Sequence, residues 1–280
     1  MQFDAPLSSC PLCGSSAIGW YDRDFRGVRI DRCRSCGMRF MNPRYSDAHL
    51  ADYYARYTNE AERTPERQRF MHRQKEEHVR LLERHIAPPG RFLSIGSGSG
   101  EELEAALASG WTAEGYDVDP ATTARVAARL DVPVHSGDLF ALPLPDEAYD
   151  CVYLDQVLEH VKEPARYLRR CRALLRPGGV LYLGVPNIAS VSSVWKTLMG
   201  RARLKRRRGR HYDTEHHINY FSPGTLPAAL ERYFGVRVER VEGDPRPSPD
   251  GGGWHALRSA LERRIPQLDS SLIVIARRVE

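Results

Sequence analysis

Short apolar runs and longer segments with apolar residues three and four apart follow one another along the chain, which predicts strands and helices in alternation. Phe92–Ile95 is such a run and breaks into Gly96-Ser97-Gly98-Ser99-Gly100. Glu101–Ala108, dense in Glu, Leu and Ala, then reads as a helix. Further strands are predicted at Thr112–Tyr116, Val134–Ser136, Ala148–Leu154 and Val180–Val185, the last entered through Arg176-Pro177-Gly178-Gly179. Two more, Val236–Val241 and Leu272–Ala276, lie near the end. Ahead of the glycine turn, Ser46 caps a helix bearing Leu50, Tyr53, Tyr54 and Tyr57. A longer helix over Glu66–Ile86 presents Phe70, Val79, Leu82 and Ile86 inward and stops at Pro88-Pro89-Gly90. After the fifth strand Val191, Val194, Trp195 and Leu198 recur at helical spacing, and Ser222-Pro223 reads as a cap and first-turn proline. Gly243–Gly253 with a helix over Trp254–Ile265 suggests a flap.

The strand, glycine turn and helix open a nucleotide-binding α/β sheet. A dinucleotide fingerprint needs its third glycine at position 101, where a helix N-terminus receives pyrophosphate; this chain has Glu101, whose carboxylate repels a phosphate and suits an ammonium. Asp117 closes the second strand 21 residues beyond Gly96, where an acid gripping ribose hydroxyls belongs.

The ordered set resembles the class I S-adenosylmethionine-dependent methyltransferases, over residues 70 to 240 plus the last strand. The resemblance implies a Rossmann-like α/β sheet of seven strands in the order 3-2-1-4-5-7-6, and a cofactor cleft lined by Gly96, Ser97, Gly98, Gly100, Asp117, Val118, Asp138, Leu139, Asp155 and Gln156. One position departs: where Ser94 stands the family usually has an acid that helps to anchor the cofactor's amino group. The expected organisation is a zinc ribbon over 1–44, a helical linker over 45–90, and a methyltransferase domain over 91–280 with an insertion at 188–222.

The ribbon rests on Cys10-Pro11-Leu12-Cys13 and Cys33-Arg34-Ser35-Cys36, two knuckles 19 residues apart that can present four thiolates to a structural zinc. Two disulfides are the alternative and need an oxidising compartment. Met1-Gln2-Phe3-Asp4 does not open a signal peptide, and no stretch of 18 apolar residues occurs, so a cytoplasmic location is expected. Cys151 and Cys171 read as packing residues. A ribbon followed by Asn42-Pro43-Arg44 and a tyrosine-bearing helix resembles a branch of the family that acts on sugars, polysaccharide precursors and other small metabolites. The tyrosines admit a cation–π role toward a sulfonium or plain packing.

Charge alters the picture in one place. The chain carries +5 overall, and residues 201–210 hold seven basic residues and no acid, so the rest is net acidic. Such a run suits a phosphate- or nucleotide-linked substrate, an RNA backbone, a peripheral contact with an anionic membrane, or plain solvation. Methyl transfer from a sulfonium needs an aligned nucleophile and a proton acceptor, for which His217, in the stretch leading to Tyr220-Phe221, is the first candidate and His160 the second. Glu159, His160 and His217 also resemble the segment by which ubiquinone-pathway and small-RNA O-methyltransferases bind a magnesium-like ion, with Gln156 in place of its first acid. The leading expectation is methylation of a small-molecule hydroxyl. RNA methylation and a non-enzymatic cofactor-binding scaffold are the alternatives.

Overall fold

A computed structural model describes residues 2–56, 64–202, 204, 209–244 and 253–280. In chain order the elements are β1 (Ile18–Arg23), β2 (Arg29–Cys33), β3 (Arg39–Met41), α1 (Asp47–Arg56), α2 (Pro65–Leu82), β4 (Arg91–Ile95), α3 (Glu101–Ala108), β5 (Thr112–Tyr116), α4 (Pro120–Leu130), β6 (Val134–His135), β7 (Tyr149–Asp155), α5 (Pro164–Leu174), β8 (Leu175–Pro186), α6 (Val191–Arg201), β9 (Asn219–Tyr220), α7 (Leu226–Tyr233), β10 (Val236–Gly243), α8 (Gly253–Arg264) and β11 (Ser271–Arg278).

Seven strands form one sheet in the order β10-β11-β8-β7-β4-β5-β6, with β4 to β8 parallel and β10 and β11 antiparallel. This is the order expected for the fold. Both faces are covered, so its central strands read as continuous apolar runs rather than alternating ones. Leu93, Ile95, Val152 and Leu154 pack on one side; Phe92, Cys151, Tyr153 and Tyr182 pack on the other with Leu103 and Trp111. The pleat sends neighbouring residues to opposite layers, so Ser94 shares the second face with Phe92. Cys151 and Cys171 are fully buried, as expected of packing residues.

The ribbon is not an independent unit. Its strands β1-β2-β3 are completed by β9 from the insertion, Arg39 opposite Tyr220 and Phe40 opposite Asn219. Cys10, Leu12, Cys33, Met38 and Phe40 share one core with the large sheet. Helix α7 begins later than Ser222-Pro223 suggests: its N-cap is Thr225, whose hydroxyl accepts the Ser222 N–H at 3.0 Å, and Pro227 occupies the first turn. The local Ser–Thr turn outcompetes an earlier helix start. Tyr57, most of the 243–253 flap and half of the 201–210 run lie outside the described residues.

Candidate active site

Most of the residues expected to line the cofactor cleft lie at the carboxyl ends of β4, β5 and β6. Gly96, at φ 80°, could not carry a side chain, since a Cβ would meet Val157 Cγ2 at 2.4 Å. Gly98, at φ 46°, has nothing within 4 Å of that position, so bare backbone faces open space. Asp117 is half-buried beyond β5. Its Oδ2 accepts the Gly98 N–H at 2.9 Å and its Oδ1 the Asp119 N–H at 3.1 Å, which aims the carboxylate across the turn. Val118 beside it leaves 62% of its surface exposed. Asp138, exposed after β6, accepts the Phe140 N–H at 3.0 Å. Ser97 is buried, and its Oγ has no hydrogen-bond partner among the described residues. Glu101 and Glu104 stand in the first turn of α3, so negative charge lies where a phosphate binder would keep the helix start clear.

Three other residues named from the sequence sit differently. Leu139 is a core residue. Gln156 is exposed, at φ 57°. Asp155 lies under α2, paired with the Lys75 ammonium. Burial pushes the Asp155 carboxyl up, but Lys75 and His78 outweigh it and hold it below the usual range.

Lys75 belongs to a buried polar network that the sequence reading missed. His78 meets the Tyr153 hydroxyl through Nδ1 at 2.8 Å and Asp244 through Nε2 at 2.9 Å, while Ser94 donates to Glu102 at 2.7 Å. The following helix thus places a carboxyl next to Ser94. A signal was available: Lys75, His78, Val79 and Leu82 fall three, four and seven apart on the inner face of α2, where charge is costly unless paired.

Burial pushes Glu102 up to about 7, against the pull of Lys75 and Ser94. The folded chain therefore holds this proton more tightly than the unfolded one. The associated stability is complete below the ordinary carboxyl range and disappears as pH rises through 7. Relative to the wild type, Glu102→Gln is expected to gain about 2 kcal/mol between pH 5 and pH 8 in urea unfolding. A difference constant with pH would contradict the assignment.

Beyond β7, His160, His216 and His217 come together with ring nitrogens within 4.8 Å of one another. The backbone imposes this. Ile218 and Asn219 donate their N–H groups to the Glu159 carbonyl at 2.8 and 3.1 Å, and the Asn219 side chain donates to the carbonyls of Leu158 and Val161 at 2.8 and 2.7 Å. β3 holds the same segment from outside, since the Met41 N–H donates to the Ile218 carbonyl at 2.8 Å. His160 donates Nδ1–H to the His216 carbonyl at 3.3 Å, and the Tyr53 hydroxyl of α1 lies 3.1 Å from His216 Nδ1. Tyr53 is therefore a polar and stacking partner of His216, with ring centroids 5.6 Å apart.

Sequence reasoning expects histidines titrating near neutrality. Instead, burial and then the neighbouring imidazoles push both His160 and His217 down to about 3. Glu159 is fully buried, with neither carboxyl oxygen hydrogen-bonded among the described residues, and burial pushes it far above the ordinary range. At neutral pH His160 and His217 are therefore neutral imidazoles, beside a Glu159 carboxyl whose burial disfavours its charged form. Three imidazole nitrogens suit transition metals, whereas magnesium asks for oxygen ligands. Gln156 supplies no carboxylate, so the donor set fits magnesium poorly.

At the ribbon, Cys10, Cys13, Cys33 and Cys36 place their Sγ atoms within 4.8 Å of one another, with Cys10–Cys36 and Cys13–Cys33 both at 3.6 Å. That is far longer than a disulfide and close to the ~3.8 Å edge of a tetrahedron with Zn–S bonds of about 2.3 Å. A hydrogen bond from Cys36 pulls Cys10 down to about 5, and burial pushes Cys13 up to about 11. Four cysteines so placed could hold one metal ion tetrahedrally.

A family model described as "Methyltransferase domain" matches residues 66–238. A probable S-adenosylmethionine-dependent methyltransferase of Mycolicibacterium smegmatis is 42% identical over 93 residues, 33% of this chain and 35% of that one. The ubiquinone biosynthesis O-methyltransferase of Coxiella burnetii is 28% identical over 115 residues, 39% of this chain and 49% of that one. The matches thus span about a third to a half of these curated relatives. Among solved structures, the Burkholderia thailandensis 1,6-didemethyltoxoflavin-N1-methyltransferase with bound 1,6-didemethyltoxoflavin and S-adenosylhomocysteine superposes with a TM-score of 0.56 at 17% identity, covering 94% of this chain and 99% of that one.

Proposed function

Because the chain belongs to the methyltransferase-domain family, we propose that it binds S-adenosylmethionine across the carboxyl ends of β4, β5 and β6 and methylates a hydroxyl of a small molecule such as a sugar, polysaccharide or natural-product intermediate. The observation that carries this reading is the carboxylate of Asp117, held by the Gly98 N–H beside open backbone. An acid so placed accepts two ribose hydroxyls, which a phosphate-binding turn has no use for. Glu101 favours the ligand's ammonium, Asp138 and the exposed Val118 suit a purine edge and face, and the exposed Gln156 borders the methyl end. The Coxiella and Burkholderia proteins are named for small-molecule reactions, which favours a small acceptor over RNA.

The cofactor supplies an activated methyl group on a sulfonium. The chain's part is to align the acceptor oxygen opposite sulfur and to remove its proton. His217 and His160, neutral above pH 4, accept that proton. A weak base suffices, because a hydroxyl becomes strongly acidic as its oxygen is alkylated. No step is assigned to magnesium. The four ribbon cysteines bind a structural zinc that holds β3, and through it the β9 segment, against the cleft.

The test is transfer of labelled methyl from the cofactor into separated small-molecule and RNA fractions of the host. Label is expected in the small-molecule fraction, with His217→Ala reducing turnover about 100-fold or more. The wild-type rate should show no acid limb between pH 5.5 and 7.5. Label in RNA, an inflection near 6.5, or an unimpaired His217→Ala would each count against this reading.

A further inference from the structure

His160, His216 and His217 converge from two stretches of chain that the fold pins separately. His160 follows β7 in the loop held by the Asn219 side chain. The stretch carrying His216 and His217 is tied to β1 and the turn after it, since the Tyr212 hydroxyl donates to Asp22 at 3.1 Å and Thr214 donates to Asp24. The Tyr220 hydroxyl then donates to the His217 carbonyl at 2.8 Å. Buried hydrogen bonds thus set the rings from both sides, as a metal site requires. By giving its Nδ1–H to the His216 carbonyl, His160 keeps the lone pair on Nε2, the arrangement of a ligating histidine. That Nε2 stands 3.7 Å from Glu159 Oε1. Glu159 is the second, independent observation: it is fully buried, and neither carboxyl oxygen has a hydrogen bond among the described residues. A carboxyl buried in this way costs stability unless a cation meets it.

We propose that Glu159, His160, His216 and His217 bind one divalent ion of the zinc class. Three imidazole nitrogens and one carboxylate oxygen are donors that such ions accept in a tetrahedral arrangement. Nitrogens around a tetrahedral zinc stand ~3.4 Å apart at Zn–N bonds of about 2.0–2.1 Å, so rings whose nitrogens lie within 4.8 Å of one another turn slightly inward as the ion enters. The dication gives the Glu159 carboxylate its charge partner. The ion is not magnesium, which asks for oxygen ligands: Gln156 brings no carboxylate, and His216 adds a third nitrogen. Ring packing alone accounts for the stacking of His160 on His216, but not for a buried carboxyl beside them without a hydrogen bond among the described residues. The site stands on this geometry. Its consequence rests on the reading of the cleft given above: an ion that takes the lone pairs of His160 and His217 removes the proton acceptors, so the loaded chain transfers methyl more slowly.

Cobalt(II), a spectroscopic substitute for zinc, tests the site without any turnover. The half-buried rings let the ion exchange, so it is supplied rather than carried through purification. The tag-free full chain with its ribbon zinc in place is expected to bind one further cobalt with a dissociation constant of about 1 μM or below. The complex should show ligand-field bands without thiolate-to-metal charge transfer, and a large excess of magnesium should leave them unchanged. His216→Ala should weaken binding about 100-fold or more and Glu159→Gln about tenfold or more, while both variants keep the cooperative melting of the wild type. Four results would overturn the proposal: uptake at adventitious strength only; charge-transfer bands showing that the ribbon took the ion; displacement by magnesium; or binding indifferent to either substitution. Cobalt bound as described by a chain that never methylates anything would leave the site standing and the proposed activity refuted. Cobalt that binds and speeds transfer would leave the site standing and overturn the proton-acceptor role of the histidines.

Discussion

Replacing Cys33 with serine is expected to cost the protein its zinc and, with it, the N-terminal sheet. Cys33 ends β2, is fully buried, and lies 3.6 Å from Cys13 across the two knuckles. Structural zinc binding contributes on the order of 10 kcal/mol, comparable to the whole stability of a domain. β1, β2 and β3 add little core beyond what they share with the rest of the chain, so the loss of that term should weigh heavily on them. The damage should also spread. β3 holds β9, and β9 fastens the segment that carries Glu159 and His160 through the two side-chain hydrogen bonds of Asn219. One zinc per chain by elemental analysis, falling to none in Cys33→Ser with a large drop in melting temperature, is the expected result. A zinc-free wild type that melts cooperatively and unchanged would contradict it.

β4, β7, β8 and β11 were legible because each carries a short, mostly apolar run, and β4, α3 and β5 begin and end close to where the pattern places them. That the glycine turn meets Asp117 could be read from spacing along one stretch of chain. Contacts made at a distance were not legible. Glu102 looks like an ordinary helix-forming acid until α2 folds over it and Ser94 donates to it. His216 looks subordinate to His217 until the strand from the insertion joins the ribbon and turns both rings toward His160. The low pKa of His160 and His217 likewise comes from burial and from one another, which no local pattern encodes. The periodicity of α6 was visible, but which face is buried was not. Its serines and threonine turn inward because they find partners in Ser190, the Ser193 carbonyl and His211.

The second large effect is expected at Asp117. Its carboxylate would accept two ribose hydroxyls, each a charge-assisted hydrogen bond contributing about 1.5–3 kcal/mol. Alanine there would also free the Gly98 N–H that the carboxylate now holds. Affinity should fall by about two to three orders of magnitude. The fold should survive, because Asp117 sits half-buried in a loop beyond β5 rather than in the core. Asparagine, which keeps one acceptor oxygen without the charge, should fall between. The most direct measurement is titration calorimetry of S-adenosylhomocysteine into wild-type protein and Asp117→Ala at matched melting temperatures. The account predicts one-to-one binding to the wild type and affinity weakened about 100-fold or more in the variant; equal heats from both proteins, or none from the wild type, would contradict it.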